Sequence, residues 1–198
     1  SKDVNLGVGG KLNAYDISST SEAFVWQTSA KEYLYDSALS NSLDYRQKVY
    51  AAYSEISFPI SELFQAKIGG RYERTEINSS FSNAPDKVHN GYNTFVPSFF
   101  LLRKLGEKQT LKFNYSKRIE RPDYGDLNPF INTSDPKNVF TGNPDLKPEI
   151  GNRYELTYSH DLDKTGSFMV TLFYRENKDD IQPFIVYYPS IKVGDTVY

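Results

Sequence analysis

Cysteine is absent from the 198 residues, which excludes disulfides, thiolate metal centres and cysteine nucleophiles and leaves the redox compartment open. Long apolar runs are absent too, and the mean hydropathy is −0.58, so no helix made of such a run crosses a bilayer. Neither sign of charge dominates: 23 Lys and Arg stand against 25 Asp and Glu, with an isoelectric point of about 5.8. The basic footprint of a nucleic-acid binder is therefore missing. What the chain does have is aromatic: 16 Tyr, 13 Phe and one Trp make up 15% of it. Buried tyrosine hydroxyls need partners, so an ordinary small core has little use for that many, whereas an interface between oil and water suits them.

The length fits one domain or part of one. Ser1-Lys2-Asp3-Val4 carries no initiator Met, no basic region and no apolar export segment, and Val193-Gly194-Asp195-Thr196-Val197-Tyr198 stops without a turn or cap. Both ends are expected to be cuts in something longer, with any export signal outside these residues.

Period-two alternation runs through the chain, and helical periodicity is hard to find. From Leu111 to Ile119 it puts Leu111, Phe113, Tyr115 and Ile119 on one face and Lys112, Asn114, Ser116 and Arg118 on the other, a separation that only an extended strand gives. Arg153 to Leu162 and Phe168 to Tyr174 repeat it, with Tyr154, Leu156, Tyr158 and then Phe168, Val170, Leu172, Tyr174 as apolar sides. Upstream, Val4–Ile17 reads as a glycine-rich strand, Tyr45–Phe58 alternates Tyr50, Ala52, Ser54, Ile56, Phe58, and Phe64–Ile77 sets Ala66, Ile68, Gly70, Tyr72 against Lys67, Gly69, Arg71, Glu73. Thr94–Leu105 is apolar on both faces and contains Pro97, which removes a ladder donor. The expectation is seven strands of roughly 9–15 residues, longer than the usual ~5–6 of globular sheets.

The connections are expected to alternate in length. Pro59–Leu63, Gly106–Lys108 and Asp163–Gly166 are short, and between them lie Ser18–Asp44, Asn78–Asn93 and Pro122–Glu149, all polar and rich in loop-forming residues. An all-β antiparallel meander with one aromatic-apolar face, tight turns at one end and large loops at the other meets the requirements of a transmembrane barrel, where strands must satisfy one another's backbone. A soluble β-sandwich alternates similarly, but with shorter strands and a face favouring Val, Ile and Leu over Tyr.

Between residues 114 and 158 the order of landmarks is specific. Asn114-Tyr115-Ser116-Lys117-Arg118-Ile119-Glu120-Arg121-Pro122 is followed by Leu127-Asn128-Pro129-Phe130, Ser134-Asp135-Pro136, Gly142-Asn143-Pro144-Asp145-Leu146-Lys147-Pro148-Glu149 and Tyr154-Glu155-Leu156-Thr157-Tyr158. Strand, long loop and strand in this order resemble the C-terminal barrel of TonB-dependent outer-membrane receptors, especially their Bacteroidetes-type branch. The resemblance implies a bacterial outer-membrane location, a barrel of about twenty-two strands around an N-terminal plug, and import of a scarce ligand with energy from TonB. The chain departs from that whole by lacking a plug and a TonB-box region, by its length, and by Thr196 and Gly194 standing where a closing aromatic strand would alternate back from Tyr198. Residues 1–198 are thus expected to be a partial barrel of roughly a third, without plug and remaining strands.

Few residues of the chain are spaced for chemistry. His89 and His160 lie far apart without ligand-spaced companions, and zinc needs three or four converging ligands. Asp161-Leu162-Asp163-Lys164-Thr165-Gly166 begins like a calcium loop but continues as a hairpin turn, with Thr165 and Leu172 where ligands would stand. Gly7-Val8-Gly9-Gly10-Lys11 lacks both dinucleotide and P-loop spacing and reads better as close strand packing. Asp179-Asp180 reads as exposed loop charge, and no nucleophile with a base presents itself, so neither an enzyme nor a cofactor is expected.

The Pro122–Glu149 segment is where ligand contact is expected. Its prolines and glycines stiffen a long loop, and Tyr124, Asn128, Phe130, Asn132, Asn143 and Asp145 offer stacking and amide hydrogen bonds to a sugar or chelate. The competing reading is that the Asn-Pro pieces shape the loop and brace the wall. Expected partners are outer-membrane lipid, the TonB complex through the absent N-terminal region, and a small-molecule or oligosaccharide ligand, such as a siderophore, a cofactor or a glycan. A non-transporting structural or adhesive barrel and a soluble β-rich carbohydrate-binding module are the other functions compatible with the pattern.

Overall fold

The computed structural model describes residues 3–82, 88–133, 138–186, 192–193 and 196–197. Its seven-stranded sheet runs β1 (Asn5–Gln27), β2 (Glu32–Pro59), β3 (Phe64–Phe81), β4 (Val88–Lys104), β5 (Gln109–Glu120), β6 (Glu149–Asp161) and β7 (Ser167–Lys178). Every strand is antiparallel to the next in the chain, so the order is a pure meander forming a half-barrel. A one-turn helix, α1 (Tyr124–Leu127), lies between β5 and β6, and a two-stranded ladder, β8 (Lys192–Val193) with β9 (Thr196–Val197), follows β7. Gly194 and Tyr198, on which the reading of the chain's last strand rests, lie outside the described residues, as do Ser134-Asp135-Pro136.

Seven strands in a meander is the expected architecture, but two of the expected loops are strand. Ser18 pairs with Asp44, and Ser18 Oγ donates to the Asp44 carboxylate at 2.6 Å. The β1–β2 connection shrinks to residues 28–31, closed by Lys31 N–H to Gln27 O at 2.8 Å with Lys31 at φ 55°. At the tip, Phe24 meets Tyr35 and Trp26 meets Tyr33, ring edge to face at 5.8 and 5.2 Å, cross-strand pairs that hold a hairpin end together. Asn78 likewise pairs with His89, so most of Asn78–Asn93 is strand. β2, at 28 residues, spans roughly 90 Å at ~3.3 Å per residue, far more than the ~9–11 residues a membrane strand needs.

Opposed residues share a face, so the register sorts the side chains. One face carries Leu6, Val8 and Leu12 of β1, then Phe58, Ile56, Ala52 and Tyr50 of β2, and Ala66, Ile68 and Tyr72 of β3. It continues through Leu101, Phe99 and Phe95 of β4, then Leu111, Phe113 and Tyr115 of β5, and on through Tyr158, Leu156, Tyr154 to Val170, Leu172, Tyr174. The five apolar sides read from the sequence, in β2, β3, β5, β6 and β7, thus join into one band, and the register adds those of β1 and β4. The band ends in aromatic rings, with Tyr115 and Tyr154 centroids 5.0 Å apart and Tyr154 and Tyr174 6.1 Å apart. Beyond the aromatic rings of β2 and β3 the same face turns to Lys48, Arg46, Arg74 and Glu76, with Asp16 pairing Arg46 at 3.2 Å. An apolar band closed by an aromatic girdle, with strands continuing past it, is a lipid-facing surface whose strands rise into water on one side.

The opposite face carries Lys112, Asn114, Ser116 and Arg118 with Glu155 and Arg153. Ion pairs Lys67–Glu55 at 2.8 Å, Arg71–Glu73 at 2.6 Å and Arg153–Glu155 at 2.6 Å lie on it, as expected of a lumen wall. Gly9 sits on this face with the Tyr53 ring of β2 directly over it, so close packing accounts for the glycine there.

Pro97 has a local effect. β4 and β5 pair only from Ser98↔Ser116 to Lys104↔Thr110, so the ladder stops where the proline lacks an N–H. Above that point β4 stays with β3, and β5 stays with β6.

The tight connections, residues 60–63, 105–108 and 162–166, all lie at the end opposite the long loop. In the last, Asp163–Thr165 forms one 3-10 turn, Asp161 accepts from Asp163 N–H at 2.9 Å, and Lys108 pairs with Asp163. That network is a hairpin closure. Trypsin added to intact cells is expected to cut after Lys31 and to spare Lys108 and Lys164 until the cells are opened; cleavage after Lys108 on intact cells would reverse the topology.

Candidate functional site

The connection between β5 and β6, described at 121–133 and 138–148, folds onto the lumen face of β2 and β3. Its entry is fixed by Arg121, whose Nη2 donates to the Glu73 carboxylate and whose Nε donates to Thr75 Oγ1 at 3.1 Å. Glu73 is almost fully buried and also holds Arg71, so one carboxylate ties the loop base to β3. A charge taken from water needs such multiple partners.

Asp123 then caps α1. Its carboxylate accepts from Gly125 N–H at 2.7 Å and Asp126 N–H at 2.9 Å, while Asp126 accepts from Asp123 N–H at 3.0 Å. This reciprocal arrangement, an acid three residues from the capping residue, starts a helix of one turn, too short to show a period in the sequence. The turn delivers Leu127, 2% exposed, into a cluster of Leu43, Tyr45, Ile77 and Phe81, flanked by Ile17, Tyr92 and Leu146. The two limbs of the loop are joined by Gly142 N–H to Asn128 O at 2.8 Å and Asn143 N–H to Asp126 O at 2.6 Å. A Cβ on Gly142 would run into both acceptor carbonyls, so this crossing admits only glycine.

The six expected contact residues all lie on this loop, with different occupations. Asn128 and Asn143 use their side-chain oxygens inside it, accepting from Phe130 N–H at 3.1 Å and Asp145 N–H at 2.9 Å. Asn132 bridges Phe140 through the backbone. Tyr124 is exposed with its ring 6.3 Å from that of Tyr45, Phe130 is half-buried, and Asp145 is exposed. Tyr45, Glu73 and Thr75, which seat the loop, escape sequence reading because their partner Arg121 is 46 to 76 positions away and no local pattern marks it.

Above the lipid band, burial pushes the Tyr45 phenol up to about 12, helped by Tyr92 and Asp123 and opposed by Arg121. Burial also raises Tyr92, against the pull of Arg121. At the rim, a hydrogen bond with Asp180 raises the Glu149 carboxyl. A free tyrosine ionises near ~10, so neutral Tyr45 stabilises the docked loop up to about that pH, and the contribution is lost as the pH rises toward the folded value. Difference titration of phenolate absorbance between wild type and Tyr45→Phe is expected to reveal one phenol ionising at about 12; a difference at the pH of ordinary tyrosines would refute the burial argument.

The histidines stay apart: His89 Nδ1 lies 2.5 Å from Asn78 Oδ1, and His160 lies beside Tyr158. Among the described residues no three His, Cys, Asp or Glu come together as a metal site.

No curated protein matches the chain. Among solved structures, the alcaligin outer-membrane receptor FauA of Bordetella pertussis superimposes with a TM-score of 0.50 at 16% identity, over 87% of this chain and 30% of that one. The siderophore receptor PirA of Pseudomonas aeruginosa matches at a TM-score of 0.35 and 13% identity, over 85% of this chain and 39% of that one. The chain therefore spans well under half the length of either receptor. At such identity the FauA likeness shows a fold, a stretch of outer-membrane barrel wall. Residues 1–193 match the outer membrane protein β-barrel family, and with nearly the whole chain inside that match and a lipid band on its outer face, this protein belongs to that family and to the bacterial outer membrane.

Proposed function

We propose that the chain is a wall segment of a TonB-dependent receptor that imports a scarce ligand, an iron chelate, a cofactor or a glycan-derived oligomer. The observation that supports this best is the loop folded onto the lumen face. A scaffold or adhesin gains from loops that point outward, whereas an importer needs an extracellular mouth that holds a ligand and can be cleared. In this reading the plug, the TonB contact and the rest of about twenty-two strands belong to other parts of the protein. An apolar-aromatic band of this extent is unsuited to a soluble sugar-binding module.

Within the mouth, Tyr124 and Phe130 stack on the ligand, and Asn132 and Asp145 hydrogen-bond to it. Asn128 and Asn143 contribute the amide hydrogens that loop closure leaves them. The experiment is uptake by cells with the gene intact, deleted or carrying Tyr124→Ala, across a panel of ferric chelates, cobalamin-like cofactors and oligosaccharides, with and without a protonophore. At least one ligand is expected to accumulate only with the intact gene and an energised inner membrane. Accumulation indifferent to both would leave a structural barrel as the better reading.

A further inference from the structure

We propose that the lumen wall formed by β5, β6 and β7 binds a carboxylate or phosphate group of the ligand, seated over Gly151 among Arg118, Arg153 and Arg175. The proposal rests on the import reading, of which it names the substrate class.

The register brings the three guanidinium-bearing residues to one place. Arg118 lies opposite Gly151 across β5 and β6. Gly151 lies opposite Asn177, and Arg153 opposite Arg175, across β6 and β7. All face the lumen, and they line a cavity of about 240 Å³. Gly151 and Asn177 share its floor: Asn177 Oδ1 stands 3.0 Å from where a Cβ on residue 151 would sit, so a side chain at 151 would crowd the cavity.

The charges are incompletely answered by the protein. Like charges directly opposed on a sheet repel, and Arg153 faces Arg175 in that way. Arg153 gives one Nη2 to Glu155 at 2.6 Å, but its Nε is buried without an acceptor. Arg118 and Arg175 make no ion pair among the described residues. A buried N–H without an acceptor is costly, and an oxyanion in this cavity would bring negative charge among three arginines of which two have no ion-pair partner among the described residues and the third has one unanswered donor. Glu120 and Glu149 stand opposite each other along the upper rim, with Glu149 accepting from Asn177 at 2.6 Å. They impose a direction: the anionic group goes down to the arginines, and the part of the ligand at the rim is uncharged or cationic. A polyanion charged along its whole length does not fit.

The test is calorimetric titration of the intact protein in detergent at low salt with inorganic phosphate and, separately, acetate, the two arms distinguishing phosphoryl from carboxylate recognition. Saturable binding of at least one is expected, weakened about tenfold or more when Arg118→Gln and Arg175→Gln are combined, lost in Gly151→Leu, and unchanged in Lys48→Gln on the outer face. Raising the salt should weaken it further. If Gly151→Leu does not assemble, the arginine variants decide, since they add no bulk. Absence of saturable binding of either anion, or equal binding by the double arginine variant, overturns the proposal. Binding is read without energised uptake, so an importer that takes up ligand yet binds neither probe sinks this site alone, and a protein that binds but never imports sinks only the import reading.

Discussion

Hydrogen exchange at Gly142 and Asn143 is expected to quicken about 100-fold when Leu127 is replaced by alanine, with the strands of the barrel unaffected. Leu127 is 2% exposed and anchors the loop among Leu43, Tyr45, Ile77 and Phe81. Truncating a leucine so placed costs about 3 kcal/mol, because the hole it leaves is lined by strands that cannot close over it. That cost falls on docking of the loop alone, since β2 and β3 keep their ladder from Leu43↔Phe81 to Pro59↔Gln65 whether or not the loop is seated. The Gly142 and Asn143 amides report docking directly: they bond to Asn128 and Asp126 across the loop and exchange only when the limbs part. Phe140→Ala, at a side chain more than half exposed in the same loop, should change little. Unaltered exchange in Leu127→Ala would mean that the cluster does not hold the loop, and the Arg121–Glu73 tie would then carry docking by itself.

The same loop shows where sequence reading reaches its limit. Inside the lipid band the faces of β2, β3, β5, β6 and β7 are legible, because one side of each strand meets hydrocarbon and the other meets the lumen, which forces apolar and polar residues to alternate; in β4, apolar on both sides, only the register assigns Phe95, Phe99 and Leu101 to the band. Tyr50, Tyr72, Phe113, Leu156 and Leu172 follow that rule. Above the band both faces are wet, nothing enforces alternation, and Ser18-Ser19-Thr20-Ser21 looks like loop although it is paired residue by residue with β2. Backbone pairing there is held by the ladder and by aromatic pairs at the tip, neither of which leaves a period in the sequence. The seat of the loop was hidden for another reason. Arg121 and Glu73 are 48 positions apart, and only the meander's register brings them together. The capped turn at Asp123 does leave a local mark, Asp-x-x-Asp at a helix start, but a single turn of four residues carries no periodicity to set beside it.

Leu156→Arg is expected to destabilise the inserted barrel by about 2–4 kcal/mol, the depth-dependent cost of a guanidinium on the lipid face. Leu156 stands opposite Phe113 on β5 and Leu172 on β7, with Tyr154 toward the girdle and Tyr158 toward the tight turns, so it occupies the middle of the hydrocarbon band. From there an arginine can snorkel only part of the way to either interface. Ser159→Arg, three residues along β6 on the lumen face opposite Thr110 and Met169, meets water and should stay within about 0.5 kcal/mol of wild type. Guanidinium unfolding of the protein from phospholipid vesicles would compare the two variants. Because a strand reverses its face with each residue, the contrast tests the register of the wall as well as its orientation: a slip of one position would exchange the two outcomes. Equal losses for both variants, or none for Leu156→Arg, would mean that the aromatic band does not face lipid.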